Sequence, residues 1–293
     1  MSDPLLSFAS ILRENVSLTP FTWLQIGGPT RYLAEPGSVQ ELEGVVAACF
    51  RSNIPVRVLG GGSNLLVREA GFSGTTLLLS SPAFGGITRD GNLVRCGAGV
   101  KLSHLITYCV GEGLAGLEHL VAIPGTVGGA VRGNAATEDG DMGHAVKSAK
   151  VLGVGGAIRE VPAEQLAFSH RASGMDGIAL VEVTFALTPA DPRALTKREQ
   201  TFWILKRRIQ PGLPERTAMA FVDPVGFKAS DLIQQVGMVG TSEGAIRLSS
   251  TFPNYLIAST NATSSQVLSL LERVRKAVMD RSGVQLQYHL QIW

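Results

Sequence analysis

Residues 123–136 read IPGTVGGAVRGNAA, and this stretch decides how the rest of the chain is understood. With Gly116 just upstream, five glycines (Gly116, Gly125, Gly128, Gly129 and Gly133) fall within one otherwise apolar segment. The segment keeps neither a helical nor a strand period over its length. Turns alone do not call for so many glycines; a main chain stripped of side chains lets a long flat ligand lie directly against it. The competing reading is a tightly packed buried loop.

A second glycine loop lies upstream. Residues 55–60 (PVRVLG) read as a short buried strand, followed by Gly60, Gly61, Gly62, Ser63 and Asn64 and a second strand, LLVR, from Leu65. Successive main-chain N–H groups in such a loop form a nest for phosphate. Three glycines with Ser-Asn serve a tight hairpin turn equally well. The loop is not a nicotinamide fingerprint, because Leu65 stands where the third glycine of G-x-G-x-x-G belongs and a strand follows. It is not a Walker loop either, since no Lys-Ser or Lys-Thr comes after it.

Composition narrows the rest. The chain has 293 residues, 45% hydrophobic and 17% charged, against roughly 25% charged in ordinary soluble proteins. A net charge of +2 with scattered cations gives no nucleic-acid footprint. The one basic run, Lys206-Arg207-Arg208, reads as a solvated helix end. Cys49, Cys96 and Cys109 are odd in number and lack CxxC spacing, which argues against a disulfide framework and against a metal site. Cys49 and Cys109 fall on apolar helix faces. The N-terminal stretch has no basic segment leading into an apolar core, and no apolar run approaches the roughly 20 residues of a membrane span. The expectation is a cytoplasmic protein with no membrane contact.

Organisation follows from period and punctuation. Ser38 with Glu41 marks a helix start by the capping-box pattern, continued by Val39, Leu42, Val45, Val46 and Cys49. Residues 75–79 and 93–97 read as strands, with a helix through Leu102, Leu105, Ile106, Cys109 and Val110 after them. Residues 148–154, 158–161 and 178–187 read as further strands. A boundary is expected near Pro189, then a helix carrying Leu195, Phe202, Leu205 and Ile209 that stops at Pro211. Leu232, Ile233 and Val236 precede Gly237. The longest amphipathic helix carries Val267, Leu270, Leu271, Val274 and Val278, with Ser264 or Ser265 to cap its start and Gly283 its end.

Taken in order, VLGGGSNLLV, GLAGLEHLVAIPGTVGGAVRGNAA, HRAS (170–173), QPGLPERTAMAFVDP, SDLIQQVGMVG and the C-terminal NATSSQVLSLLERVRKAVMDRSGVQLQYHL resemble the UDP-N-acetylenolpyruvoylglucosamine reductases over nearly the whole chain. The resemblance implies an α+β protein: a two-part FAD-binding domain of the vanillyl-alcohol-oxidase (PCMH) type over 1–190, with subdomains at about 15–80 and 81–190, and a C-terminal α/β substrate domain over 191–293. It implies FAD held noncovalently, NADPH as reductant, a UDP-sugar nucleotide as substrate and a monomer of the shorter type. Residue by residue, it assigns Gly60, Gly61, Gly62, Ser63 and Asn64 to the FAD diphosphate, and Gly125, Thr126, Gly128, Gly129 and Asn134 to the rest of the cofactor. The implied reaction reduces the enolpyruvyl ether of UDP-GlcNAc to the lactyl ether of UDP-MurNAc.

Reducing an enol ether requires a hydride donor, a cation for the developing enolate and an acid for the α-carbon. The resemblance places the cation at Arg171, which can clamp a carboxylate bidentately; His170 precedes it where the family usually has Tyr. It places the family's proton-donating Ser at Met219, whose thioether has no proton to give. Thr217 stands two residues away. A Lys becomes Val222 and an Asn becomes Asp223, a carboxylate set against an anionic substrate. The family's C-terminal Glu falls on His289, a group able to donate a proton near neutral pH. Asp223 and Asn254 are the substrate-side candidates, and 249–254 lacks the family's Lys-His pair. Two readings stand: the family's reductase with altered acid groups, or a divergent paralogue that keeps the flavin fold without this reaction, working on another substrate or as a binding or regulatory protein.

Overall fold

The computed structural model describes residues 4–211 and 216–293. The chain folds as two compact units that interleave along the sequence. The first comprises Met1–Asn15, Arg31–Gly61 and Ser73–Lys206; the second comprises Val16–Thr30, Gly62–Phe72 and Arg207–Trp293. Both mix helix and sheet, giving the α+β class expected.

The first unit holds a four-stranded sheet in the order Leu12–Ser17, Pro29–Ala34, Phe72–Leu78, Val56–Leu59, the last two strands parallel. The helix Val39–Arg51 covers it, burying Leu42, Val45, Val46 and Cys49 with Tyr32 and Leu77. Ser38 caps this helix by accepting from the Glu41 amide at 3.2 Å. The Glu41 carboxylate, however, takes the Gly37 amide, so only half of the expected reciprocal box is present. A second sheet of five antiparallel strands runs in the order Ile158–Pro162, Val146–Leu152, Ala179–Ala186, Leu93–Gly97, Ile87–Asp90. The helix Leu102–Gly111 seals it through Leu102, Leu105, Ile106 and Cys109 against Val94, Val183 and Phe185.

The second unit is built on an antiparallel sheet in the order Thr217–Met219, Tyr255–Ala258, Ile246–Leu248, Ser242–Glu243. Side chains alternate across it. Ala218, Leu256, Ala258, Ile246 and Leu248 face a core shared with Val267, Leu270, Leu271, Val274 and Val278 of the helix Ser264–Ser282. Each of those five helical side chains stabilises the unit by about 1.5–3 kcal/mol on burial. Thr217, Met219, Tyr255, Ile257 and Arg247 therefore stand on the opposite face.

Three readings shift in detail. The strand from Leu65 is only Leu65–Leu66, paired in parallel with Gln291–Ile292 of the C-terminus; a long-range partner decides it, not its own pattern. The stretch judged aperiodic contains a short helix, Val127–Arg132, capped by Thr126. Less than two turns with two glycines inside show no period. The long C-terminal helix is capped by Thr263 in a full capping box with Gln266, one residue before the expected serines, while Gly283 ends it at φ 71°. Cys49, Cys96 and Cys109 are buried free thiols. Burial pushes Cys96 and Cys109 up to about 12, which removes them from thiolate chemistry. No helix among the described residues is long and apolar enough to cross a membrane.

Candidate functional site

The first unit contains a cavity of about 160 Å³ at the end of the strand Val56–Leu59. Its walls come from five places: Val58, Leu59 and Gly60; Leu78, Leu79 and Ser80; Ala98 and Gly99; Thr126, Gly128, Gly129 and Arg132; and Ile178, Ala179 and Leu180. Most of this lining is aliphatic or bare main chain. That combination suits a flat heteroaromatic ligand, with a few polar groups to orient it.

The glycines explain how the cavity stays open. A Cβ on Gly61 would stand 2.7 Å from the Gly125 Cα, so here two glycine backbones meet where no side chain fits. At Gly129 an added Cβ would meet only the Thr126 Oγ1, at 3.4 Å, and would otherwise project into the space. The amides around Gly129 are already committed. Val127 N–H donates to Val100 O at 2.8 Å, Gly128 N–H to Ala98 O at 2.9 Å, and Gly129 N–H to Thr126 Oγ1 at 3.3 Å. Thr126 thus caps the short helix by accepting from Gly129, while it also lines the cavity.

Gly62, Ser63 and Asn64 open the next part of the second unit. Gly62 has φ 66°, and a Cβ there would lie 1.9 Å from the Phe21 carbonyl oxygen, so only glycine fits. Asn64 Oδ1 is buried and has no hydrogen-bond partner among the described residues. A buried carbonyl without a donor costs about 1–3 kcal/mol, and it is the kind of group a ligand satisfies. The first unit's residues therefore fit a flat noncovalent cofactor: bare main chain and an apolar wall.

Arg171 lies at the tip of a two-residue turn between the strands Phe168–Ser169 and Ala172–Ser173, at φ 58°. A left-handed arginine stores strain of order 1–3 kcal/mol, so the surroundings must hold the turn. Asn134 does part of this. Its Nδ2 donates to Ser169 O at 2.9 Å and its Oδ1 accepts from Gly143 N–H at 2.9 Å. The Ser173 hydroxyl adds a bond to Arg132 O at 2.8 Å. Asn134, 1% exposed, is thereby a bracket for the Arg171 turn, with both ends of its amide spent inside the protein.

In the second unit the two altered acid positions come together. The backbone of His289 donates to Ala220 O at 2.9 Å, next to Met219, and the ladder continues through Phe221 with Tyr288 and Val222 with Gln287. Leu286 and Leu290 belong to the core, and Met219 alternates away from it; His289, in the bend between two short strands, is half-buried with its Nδ1 shielded from solvent. Thr217 is buried on the Met219 side. Asp223 is engaged locally: its Oδ1 accepts from Ala229 N–H at 2.8 Å and its Oδ2 lies 3.7 Å from Lys228 Nζ. Asn254 is buried and embraces Phe221, accepting from its N–H at 2.9 Å and donating to its carbonyl at 2.8 Å. Tyr288, beside His289, donates to the Glu272 carboxylate. Desolvation, with the Glu272 contact, pushes that phenol up to about 12.

Sequence reasoning missed the cavity residues outside the glycine loops, among them 178–180 and Arg132. The segment 178–180 read simply as strand. Arg132 passed as part of a glycine run, although it is the only charged residue in 123–136, and that isolation was the available signal.

Comparison with known proteins accords with this geometry. Residues 30–161 match the FAD binding domain family, and residues 210–293 match the C-terminal domain of UDP-N-acetylenolpyruvoylglucosamine reductase. A reductase of that name from Rhodopirellula baltica is 44% identical over 97% of this chain and 93% of its own length. A second, from Symbiobacterium thermophilum, is 34% identical over 96% of this chain and 92% of its own. The crystal structure of the Thermus caldophilus reductase superposes with a TM-score of 0.83 at 31% identity, covering 96% of this chain and 99% of that one. The chain belongs to the UDP-N-acetylenolpyruvoylglucosamine reductase family.

Proposed function

We propose that this protein reduces UDP-N-acetylenolpyruvoylglucosamine to UDP-N-acetylmuramate with NADPH, using noncovalent FAD, in the synthesis of peptidoglycan precursors. The observation that carries the reading is the coexistence of an intact glycine-built cavity with Arg171 held on a strained, bracketed turn. FAD held at the first unit's cavity would supply the hydride-transfer chemistry that links NADPH to the enolpyruvyl double bond. NADPH and one proton are consumed, and NADP⁺ and the lactyl ether are formed.

The chain's own residues do the rest. Gly60 and Gly129 leave room for the cofactor in the first unit's cavity, and Gly61 lets the chain pack against Gly125. Arg171 pairs with the substrate carboxylate, stabilising the charge that develops there during reduction. Asn134 serves by fixing that turn. In place of the family's serine and glutamate, Met219 supplies no proton, and His289, half-buried beside it, is the group that delivers one to the α-carbon. Residues 191–293 form the substrate side. There, Asn254 acts through the Phe221 strand it pins, and the Asp223 carboxylate accepts from the Ala229 amide of the following helix. The setting is cytoplasmic, where nucleotide precursors are made, and the acting species is a monomer.

The test is direct. Protein reconstituted with FAD should oxidise NADPH when the enolpyruvyl nucleotide is added, and only slowly without it. Absence of stimulation across roughly pH 5.5–9, a window that spans imidazole titration, overturns the reading. Tight FAD binding without affinity for the UDP-sugar would then leave a flavin-binding paralogue.

A further inference from the structure

The cavity in the first unit has one charged residue in its lining, Arg132. It occupies the last turn of the helix Val127–Arg132. Its Nη1 donates to Gly177 O at 3.1 Å, which fixes the guanidinium beside Ile178 at the cavity wall. No carboxylate lines the cavity, and Arg132 takes part in no ion pair among the described residues.

Arg132 is exposed, so its guanidinium stands at the cavity rim where an incoming anion can reach it. One of its five donors is spent on Gly177, and the remainder form the planar fork that matches a phosphate. A bland alternative exists: a basic side chain at a helix C-terminus complements the helix dipole. That role asks only for a position near the helix end. It does not ask for a side chain held by Gly177 at the rim of a cavity.

We infer that Arg132 is the cation that anchors the diphosphate of the dinucleotide cofactor, and so makes the site select FAD over flavins lacking the adenylate half. The inference rests on the flavin reading above. Arg132 stands amid bare main chain, where Gly60 and Gly129 present no side chain to compete for the same phosphate oxygens.

Flavin-free protein, as wild type, Arg132→Gln and Arg132→Lys, is titrated with FAD, ADP and riboflavin by fluorescence and calorimetry. The expected result is at least a tenfold rise in Kd for both FAD and ADP in Arg132→Gln, a smaller rise in Arg132→Lys, and no change for riboflavin. Wild-type FAD affinity should also fall more steeply with salt than that of Arg132→Gln. Should Arg132→Gln fail to fold, the Lys variant and the salt slope decide. Wild-type affinity for FAD and ADP in the variants overturns the assignment and leaves the flavin reading intact. A wild-type protein that binds neither FAD nor ADP overturns both.

Discussion

Gly129 separates what binds the cofactor from what folds the protein. It lies inside a short helix, where alanine is favoured over glycine by up to about 1 kcal/mol, and an added Cβ meets little protein. Gly129→Ala is therefore expected to leave the flavin-free protein equally or slightly more stable in urea while weakening FAD severalfold or more, because the methyl enters the cavity. Loss of stability without loss of affinity would mean that the glycine serves packing alone. Gly62 makes the opposite case. Its positive φ, and the Phe21 carbonyl oxygen 1.9 Å from where a Cβ would stand, demand glycine for folding before any ligand arrives. Sequence could announce that glycines mattered in both loops. It could not say which served the backbone and which served the ligand, because the difference lies in neighbours distant along the chain, such as Gly125 opposite Gly61.

At the scale of elements, the long helix Ser264–Ser282 is fastened at its start by a residue no pattern pointed to. The Glu69 carboxylate accepts from the Ser264 amide, from the Ser264 hydroxyl at 2.5 Å and from the Ser265 amide at 3.4 Å. Burial pushes the Glu69 carboxyl up, but these bonds outweigh it and hold the group below its ordinary value. A carboxyl depressed on folding adds stability that is fully present above its unfolded pKa and is lost as pH falls through the folded one. Melting temperatures of wild type and Glu69→Gln should therefore differ by roughly 2–4 °C near neutrality. The gap should close as pH falls below about 4.5, the ordinary value. A gap that stays constant down to acid pH would place the effect in packing. The helix itself was legible from its apolar stripe, and so was Gly283 at its end. Its start was displaced because three consecutive hydroxyl residues, Thr263, Ser264 and Ser265, compete for the cap, and the choice depends on Glu69, 195 residues away. The short strand Leu65–Leu66 was similarly beyond local reading, since its partner is the extreme C-terminal strand Gln291–Ile292.

For the molecule as a whole, scaffold and proposed chemistry rest on different residues. The family matches span both units, whereas Met219, Val222, Asp223 and His289 stand where the resemblance expects Ser, Lys, Asn and Glu. Asp223 and Asn254 show how substrate-side positions are absorbed into the scaffold: one caps a helix, the other splints a strand. His289 is different, because its backbone places it beside Met219 with its side chain half-buried. If it delivers the proton, catalysis depends on an imidazolium whose acid form is lost as pH rises, where a serine donor would leave no such limb. The rate of substrate reduction should then fall as pH rises through the imidazole range, because the acid form is lost, while reduction of the flavin by NADPH alone should not follow that limb. His289→Gln should lower kcat by about 10²–10⁴, the usual range for a general acid, with FAD affinity unchanged. Restoring the family's pair, Met219→Ser with His289→Glu, should flatten the alkaline limb and recover part of the rate. A flat pH profile in the wild type, with His289→Gln fully active, would remove His289 from the reaction and require another donor on the exposed face that carries Met219.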